Sequence, residues 1–242
     1  MKDLAGRTLV LIPAYNEGAR IGSVIKGLKE RYPLMDVLVT DDGSSDETRE
    51  KAVQAGARVI SHPFNLGYGA ALQTGYKCAL GKGYEVLVQM DGDGQHDPSF
   101  IGDLLAVIEN GEADIAIGSR FLQAGGIEPD QQPYRPPLLR RWGMQLFGTI
   151  ASIIIGQGVT DPTSGYQAMN RRVLEWLSSD KFPLDYPDAD VIIMLHRAGF
   201  RIREVPVRMY ENPDKKSMHS GWKPIYYVFK MFLSILVTLM RK

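Results

Sequence analysis

The chain has 242 residues, 44% hydrophobic and 23% charged, with 28 basic and 28 acidic side chains. That length fits one large α/β domain, or one domain with a small appendage, and can bury a substantial core. A formal net charge of zero provides no global field for nucleic acid, and the single cysteine, Cys78, excludes an internal disulfide and a cysteine-based zinc site.

The first half alternates short apolar runs with helical patterns. Thr8 to Ile12 reads as a buried strand, and Ala19 to Arg31 as a helix with Ile21, Val24, Ile25 and Leu28 on one face. Strands follow at Asp36 to Thr40, Arg58 to Ser61, Glu85 to Met90 and Asp114 to Gly118. Helices fall between them at Asp46 to Ala55, with Asp46 as N-cap, at Leu66 to Leu80, and at Asp97 to Asn110, opened by Asp97-Pro98. Repeated β-α-β order predicts a parallel, doubly wound sheet with ligands beyond the carboxyl ends of its strands. After Gly125 the pattern changes. Gln123 to Pro137 reads as a loop, Leu138 to Ile155 as a helix, Val159 to Met169 as loop and strand, and a helix starts at Arg171. Val191 to Ala198 reads as a helix, Ile202 to Val207 as a strand, Asn212 to Trp222 as irregular, and Lys223 to Met240 as a terminal helix.

Three loops at the predicted sheet edge carry chemistry. Asp91-Gly92-Asp93-Gly94-Gln95-His96 sets two carboxylates one residue apart behind a buried strand. Such a cradle suits Mg²⁺ or Mn²⁺ held jointly with a diphosphate, and its glycines allow a tight turn. The bland reading is a polar turn capping the next helix, and on this motif alone the two are evenly matched. An EF-hand is excluded, because the further acids and the distal Glu are missing. Asp41-Asp42-Gly43-Ser44-Ser45-Asp46 offers acids that could bond a ribose or a base, or serve only as an N-cap cluster. Pro13-Ala14-Tyr15-Asn16-Glu17 stands where a dinucleotide enzyme carries its glycine fingerprint. Gly67-Tyr68-Gly69 imitates that fingerprint after the wrong strand, which argues against NAD.

Together, in this order, the three loops resemble the family 2 glycosyltransferases, from about Thr8 to Val207. Leu11 to Glu17 looks like that family's first motif, Thr40 to Asp46 its nucleotide-binding acids, Asn65-Leu66-Gly67 with Ala70 to Gly75 its donor-side helix, and Met90 to His96 its metal motif. Gly118-Ser119-Arg120-Phe121, Asp161-Pro162-Thr163-Ser164-Gly165-Tyr166, Glu204-Val205-Pro206-Val207 and Lys216-Ser217 extend the resemblance to the polyprenyl-phosphate branch, which includes the dolichol-phosphate mannose synthases.

The resemblance implies a GT-A fold, a Rossmann-like, mixed but mostly parallel sheet flanked by helices, with a C-terminal amphipathic helix. The implied division is a catalytic domain over 1–210, with a nucleotide-sugar half at 1–122 and an acceptor half at 123–210, followed by a loop and interface helix at 211–242. It implies Mg²⁺ or Mn²⁺ on Asp91, Asp93 and Gln95. A nucleotide-sugar donor would lie against Pro13, Tyr15, Glu17, Asp41, Asp42, Gly67, Asp91, Gly92 and Asp93. A polyprenyl-phosphate acceptor would meet Arg120, Arg140, Arg141, Lys216 and Ser217, with Asp91, Asp93, Arg120 and Asp161 as the catalytic set. The implied reaction is inverting transfer of a hexose. Two positions depart from the branch: Met144 stands where it often has Ser, and Asn212-Pro213-Asp214-Lys215 precedes the Lys216-Ser217 pair where it often has Arg.

A phosphate acceptor arrives as an anion and needs no general base, whereas a saccharide hydroxyl does. The acids available for that role are Asp161 and Asp188 or Asp190. A saccharide-acceptor transferase, a nucleotidyltransferase and a binding module without catalysis are the competing readings. The N-terminal apolar run is too short for a signal peptide, and Ile225 to Met240, the nearest approach to a membrane span, is short and carries Lys230. In Lys223 to Lys242 and in Leu138 to Ile155 a narrow polar stripe faces a wide apolar arc, and basic residues flank both. The pattern fits helices lying in a bilayer interface or packed on a core, and the resemblance favours the first. The expected location is the cytoplasmic side of a membrane, attached peripherally or through a membrane-embedded partner, with no nucleic acid bound.

Overall fold

The computed structural model describes residues 6–122, 138–184, 187, 189–210, 233, 237 and 238, without the side chains of 138–145. In chain order the elements are β1 (Thr8–Ala14), α1 (Ile21–Arg31), β2 (Asp36–Asp41), α2 (Thr48–Gln54), β3 (Arg58–Ser61), α3 (Tyr68–Gly81), β4 (Val86–Gln89), α4 (Ile101–Glu109), β5 (Ile115–Ser119), α5 (Leu138–Ile155), β6 (Gln167–Asn170), α6 (Arg171–Leu177), α7 (Ala189–Arg197) and β7 (Ile202–Pro206). A 3₁₀ turn, Pro98–Phe100, leads into α4, and Asp97 caps it by accepting the Ser99 amide at 2.9 Å.

The strands form one sheet in the order β3-β2-β1-β4-β6-β5-β7. β1 is buried along its whole length, and its alternating side chains go to two separate layers. Leu9 and Leu11 pack with Leu72 and Tyr76 of α3, with α5, α6 and α7, while Val10 and Ile12 pack with Ile21, Ile25 and Leu28 of α1 and with α2 and α4. Helices therefore cover both faces, as the sequence predicts.

Two expectations are corrected. The sheet is mixed, as the family resemblance implies, and not wholly parallel as the β-α-β repeat alone predicts: β6 runs antiparallel to both β4 and β5. Helix α2 starts at Thr48 with Glu47 flanking it, so Asp46 is not its N-cap residue. Asp46 works from one position further out, its Oδ1 accepting the Thr48 amide at 3.0 Å and its Oδ2 the Gly18 amide at 2.9 Å.

The order of strands reverses between β1 and β4, since β2 and β3 lie on one side and the later strands on the other. A crevice opens beyond the carboxyl ends at such a switch point. Register brings the loops that follow β2, β1 and β4 to this edge side by side. Ala14 pairs with Asp41, the Asp42 amide bonds the Ala14 carbonyl at 2.9 Å, and the Met90 amide bonds that of Leu11 at 3.1 Å.

Helix α5 turns Phe147, Ala151 and Ile155 into the core and leaves Leu146 and Ile153 exposed. No helix among the described residues is long and apolar enough to cross a membrane. The loop expected at 123–137, the irregular segment at 212–222 and most of the terminal helix expected at 223–240 lie outside the described residues.

Candidate active site

The loop after β4 carries Asp91 and Asp93 into the crevice. The Asp91 side chain is 34% exposed there. Burial pushes its carboxyl above the usual carboxylate range, against the pull of the Tyr68 hydroxyl and the Arg120 guanidinium. Burial and the charge of Asp91 push Asp93 up as well, although its Oδ1 accepts the Gln95 amide at 3.0 Å. Glu17, from the loop after β1, joins them. Burial, then Asp93 and Asp91, raise its carboxyl, while Arg20 at 3.6 Å pulls it down. Three acids thus share one region in which each carboxyl is raised, and a bound cation would favour their ionised forms.

Among the described residues no set of three His, Cys, Asp or Glu side chains is arranged to hold a metal ion unaided. The donors present are hard carboxylate oxygens, and they fit a Mg²⁺- or Mn²⁺-type ion whose remaining ligands come from diphosphate and water.

The loop is held from several sides. The His96 ring is buried, and its Nδ1 accepts the Asp91 amide at 3.0 Å, which leaves the proton on Nε2, 3.7 Å from Asp91 Oδ2. Burial, with Arg120 adding to it, pushes this imidazole down to about 4 against the pull of Asp93 and Asp161, so it is neutral near pH 7. His96 stacks on Tyr166 at 4.8 Å between ring centres, and the Tyr166 hydroxyl donates to the Asp97 carbonyl at 2.9 Å. The Tyr210 amide bonds the Gln95 carbonyl at 2.8 Å. Gly92 allows close packing, since a Cβ there would lie 3.3 Å from Ile21 and 3.4 Å from Ile12.

Asp42 is buried and acts as a hub. Its Oδ1 meets His62 Nδ1 at 2.7 Å and accepts the Leu66 amide at 2.9 Å, and its Oδ2 accepts the Gly67 amide at 2.8 Å. His62 Nε2 in turn lies 2.9 Å from the Thr74 hydroxyl. Asp42 thereby joins β2, the segment after β3 and the start of α3, where Gly67 sits at a φ of 98°. Asp41 is also buried and accepts the Ser44 amide at 3.1 Å. Pro13 ends inside β1, and Tyr15 stands exposed at the rim. The adjacent Asn16 has a φ of 55°, and its side-chain oxygen accepts the Ser45 amide at 2.9 Å.

On the other side, Arg120 and Asp161 pair. Asp161 is fully buried and takes Arg120 Nε at 2.7 Å and Nη2 at 2.8 Å. Glu204 of β7 fixes this segment by accepting the Thr160 amide and hydroxyl and the Asp161 amide. Asp190, another acid considered as a base, is buried at the start of α7. Gly165 borders the first carboxylate, and a Cβ there would stand 3.1 Å from both Asp91 oxygens.

Pro13, Tyr15, Glu17, Asp41, Asp42, Gly67, Asp91, Gly92, Asp93, Gln95, Arg120 and Asp161 thus lie at one pole of the sheet. The side chains of Arg140, Arg141 and Met144, and residues Asp188, Lys215, Lys216 and Ser217, lie outside the described residues. His96 stood in the quoted motif with no role attached, and Tyr68 appeared only as part of a false fingerprint. Nothing in the sequence near either residue signals its contact with Asp91.

A family model, Glycosyl transferase family 2, matches residues 9–177. The chain belongs to glycosyltransferase family 2. It is 33% identical over 228 residues to the polyprenol monophosphomannose synthase of Mycolicibacterium smegmatis, covering 89% of this chain and 82% of that one. Identity to the undecaprenyl-phosphate mannosyltransferase of Micrococcus luteus is 32% over 222 residues, covering 89% and 88%. In fold, this transferase is similar to glucosyl-3-phosphoglycerate synthase from Mycobacterium tuberculosis, solved with Mn²⁺ and uridine-diphosphate-glucose. The TM-score is 0.67 at 24% identity, covering 97% of this chain and 79% of that one. The transferase therefore has a GT-A fold.

Proposed function

We propose that the enzyme moves a hexosyl group, with inversion, from a nucleotide-sugar donor to a polyprenyl phosphate. The observation that carries this reading is the meeting of Asp91, Asp93 and Glu17 at the switch point, where burial, and for Asp93 and Glu17 the neighbouring carboxylates, raise all three carboxyls. Asp91 and Asp93, with Gln95 beside them, would hold Mg²⁺ or Mn²⁺, which when bound supplies Lewis-acid neutralisation of the leaving diphosphate. Tyr15, Asp41, Asp42 and Gly67 would form the nucleoside side. Asp42 acts there by fixing backbone, since its oxygens already serve His62, Leu66 and Gly67.

The anionic acceptor is supported by the state of the two candidate bases that lie among the described residues. Asp161 is sealed against Arg120, and Asp190 is buried, so neither is presented to an acceptor hydroxyl. A phosphate oxygen attacks without a base, and basic side chains need only orient it. Arg120, 10% exposed and bound to Asp161, would contribute charge and position. Arg140, Arg141, Lys216 and Ser217 are proposed as the direct phosphate contacts. The names of the mycobacterial and Micrococcus relatives point to the same acceptor class. Peripheral attachment at the cytoplasmic face is proposed too, with Leu146 and Ile153 of α5 as apolar contacts.

The deciding experiment incubates the purified protein with labelled GDP-mannose or UDP-glucose and a polyprenyl phosphate, with and without Mn²⁺. Labelled, acid-labile lipid that depends on Mn²⁺ is expected. Transfer to saccharide hydroxyls but not to lipid phosphate would overturn the acceptor assignment.

A further inference from the structure

Gln89 is the last residue of β4, two before Asp91, and only 3% exposed. Burying a primary amide is costly unless both ends are bonded, and an aliphatic side chain would suit the apolar layer better. Both ends are bonded here, to two tyrosines. Tyr76, buried in α3, lies 2.5 Å from Gln89 Oε1, and the hydroxyl of Tyr68, at the start of α3, lies 3.2 Å from Gln89 Nε2. The Tyr68 hydroxyl is also 3.3 Å from Asp91 Oδ1.

Hydrogen-bond chemistry fixes the direction of this chain from its charged end. An ionised carboxylate can only accept, so the Tyr68 proton points at Asp91. The Tyr68 oxygen must then accept from Gln89, which puts the amide nitrogen on that side. The amide oxygen is left to accept from Tyr76. A buried tyrosine thus orients a buried amide, the amide orients an exposed tyrosine, and that tyrosine faces the carboxylate. Gly165 leaves the room, since a Cβ there would stand 3.2 Å from the Tyr68 oxygen.

We infer that Tyr68 is a positioning residue, held by Gln89 and Tyr76, that keeps Asp91 turned into the crevice for cation binding. The inference rests on the reading of Asp91 as a metal ligand. A carboxylate has about four lone-pair sites, so one bond from Tyr68 leaves the others open. It also limits rotation of the group before the ion arrives.

The test uses the full chain and Mn²⁺, titrated by electron paramagnetic resonance in the presence of GDP or UDP. Tyr68→Phe removes one oxygen and keeps the ring. It is expected to weaken Mn²⁺ binding about tenfold, the lower end of the effect of losing one hydrogen bond to a charged group. The Mn²⁺ concentration for half-maximal turnover should rise in parallel. The rate at saturating Mn²⁺ should stay within about twofold of the parent, and the melting temperature should fall slightly, because Gln89 Nε2 loses its acceptor. Tyr76→Phe, which lies beyond Gln89 from Asp91, should shift Mn²⁺ affinity in the same direction by less. Parent-like Mn²⁺ affinity in Tyr68→Phe overturns the inference and leaves the metal reading intact. A parent chain that binds no Mn²⁺ with either nucleotide overturns both.

Discussion

Arg120 and Asp161 hold each other by two parallel hydrogen bonds across 41 residues of chain, with the carboxylate fully buried and the guanidinium nearly so. Breaking such a pair from one side leaves an uncompensated buried charge. Asp161→Asn is therefore expected to lower the urea-unfolding free energy by about 3 kcal/mol and to reduce turnover through Arg120. Loss of activity in that variant alone would not mark Asp161 as a base. A double-mutant cycle with Arg120→Gln checks the assignment: a coupling energy above about 1 kcal/mol is expected, and additive effects would refute the pairing.

Burial and the charge of Asp91 raise the Asp93 carboxyl, so the folded chain disfavours its ionised form. Asp93→Asn is expected to fold as well as the parent or better in metal-free buffer, while turnover falls about 100-fold or more. Thermal melts and initial rates on the same preparation measure both. A destabilised, active variant would count against the site.

His96→Ala should damage the loop without touching donor or acceptor. It removes the acceptor for the Asp91 amide and the ring stacked on Tyr166. A loss of about 2 kcal/mol of stability is expected, together with weaker Mn²⁺ binding. Unchanged metal affinity would reduce His96 to a packing residue.

Gly165→Ala adds one methyl group where a Cβ would crowd both oxygens of Asp91. Turnover should drop about tenfold or more while the melting temperature changes little, because the strain falls on a carboxylate at the crevice. Steady-state kinetics over a range of Mn²⁺ concentration distinguishes this from general unfolding.

Asp114, far from the crevice, is expected to contribute to acid stability. Burial raises its carboxyl, but the Arg201 amide and guanidinium and the Asn170 amide outweigh that and hold it below the usual range. A depressed folded-state value stabilises the protein above the unfolded carboxylate value near 3.9, and that contribution disappears as pH falls through the folded value. Asp114→Asn should cost about 2 kcal/mol at pH 7. The gap to the parent should narrow below about pH 4 in urea melts, and a gap that widens there would refute the assignment.

Much of the fold was legible because β1, β2 and β4 are buried on both faces and read as unbroken apolar runs, with acids stopping them where the crevice begins. The direction of β6 was not legible, since four residues carry no sign of orientation. At the site, the acids could be read from their own loops. Their supports could not, because Tyr68 with Asp91, Arg120 with Asp161 and Glu204 with Thr160 meet only after folding. Asp42 has a second task that its type and place do not signal: its oxygens organise the start of α3.

The reversed course of β6 sets how this enzyme could be divided. Because β6 descends beside an ascending β4, the turn before it arrives at the pole where β4 ends, and Gly165 reaches Asp91. A strand running the other way would deliver that turn about 13 Å off, the length of four extended residues. The last third of the chain therefore forms one wall around carboxylates supplied by the first half, and a fragment ending before residue 123 would carry the acids into open solvent.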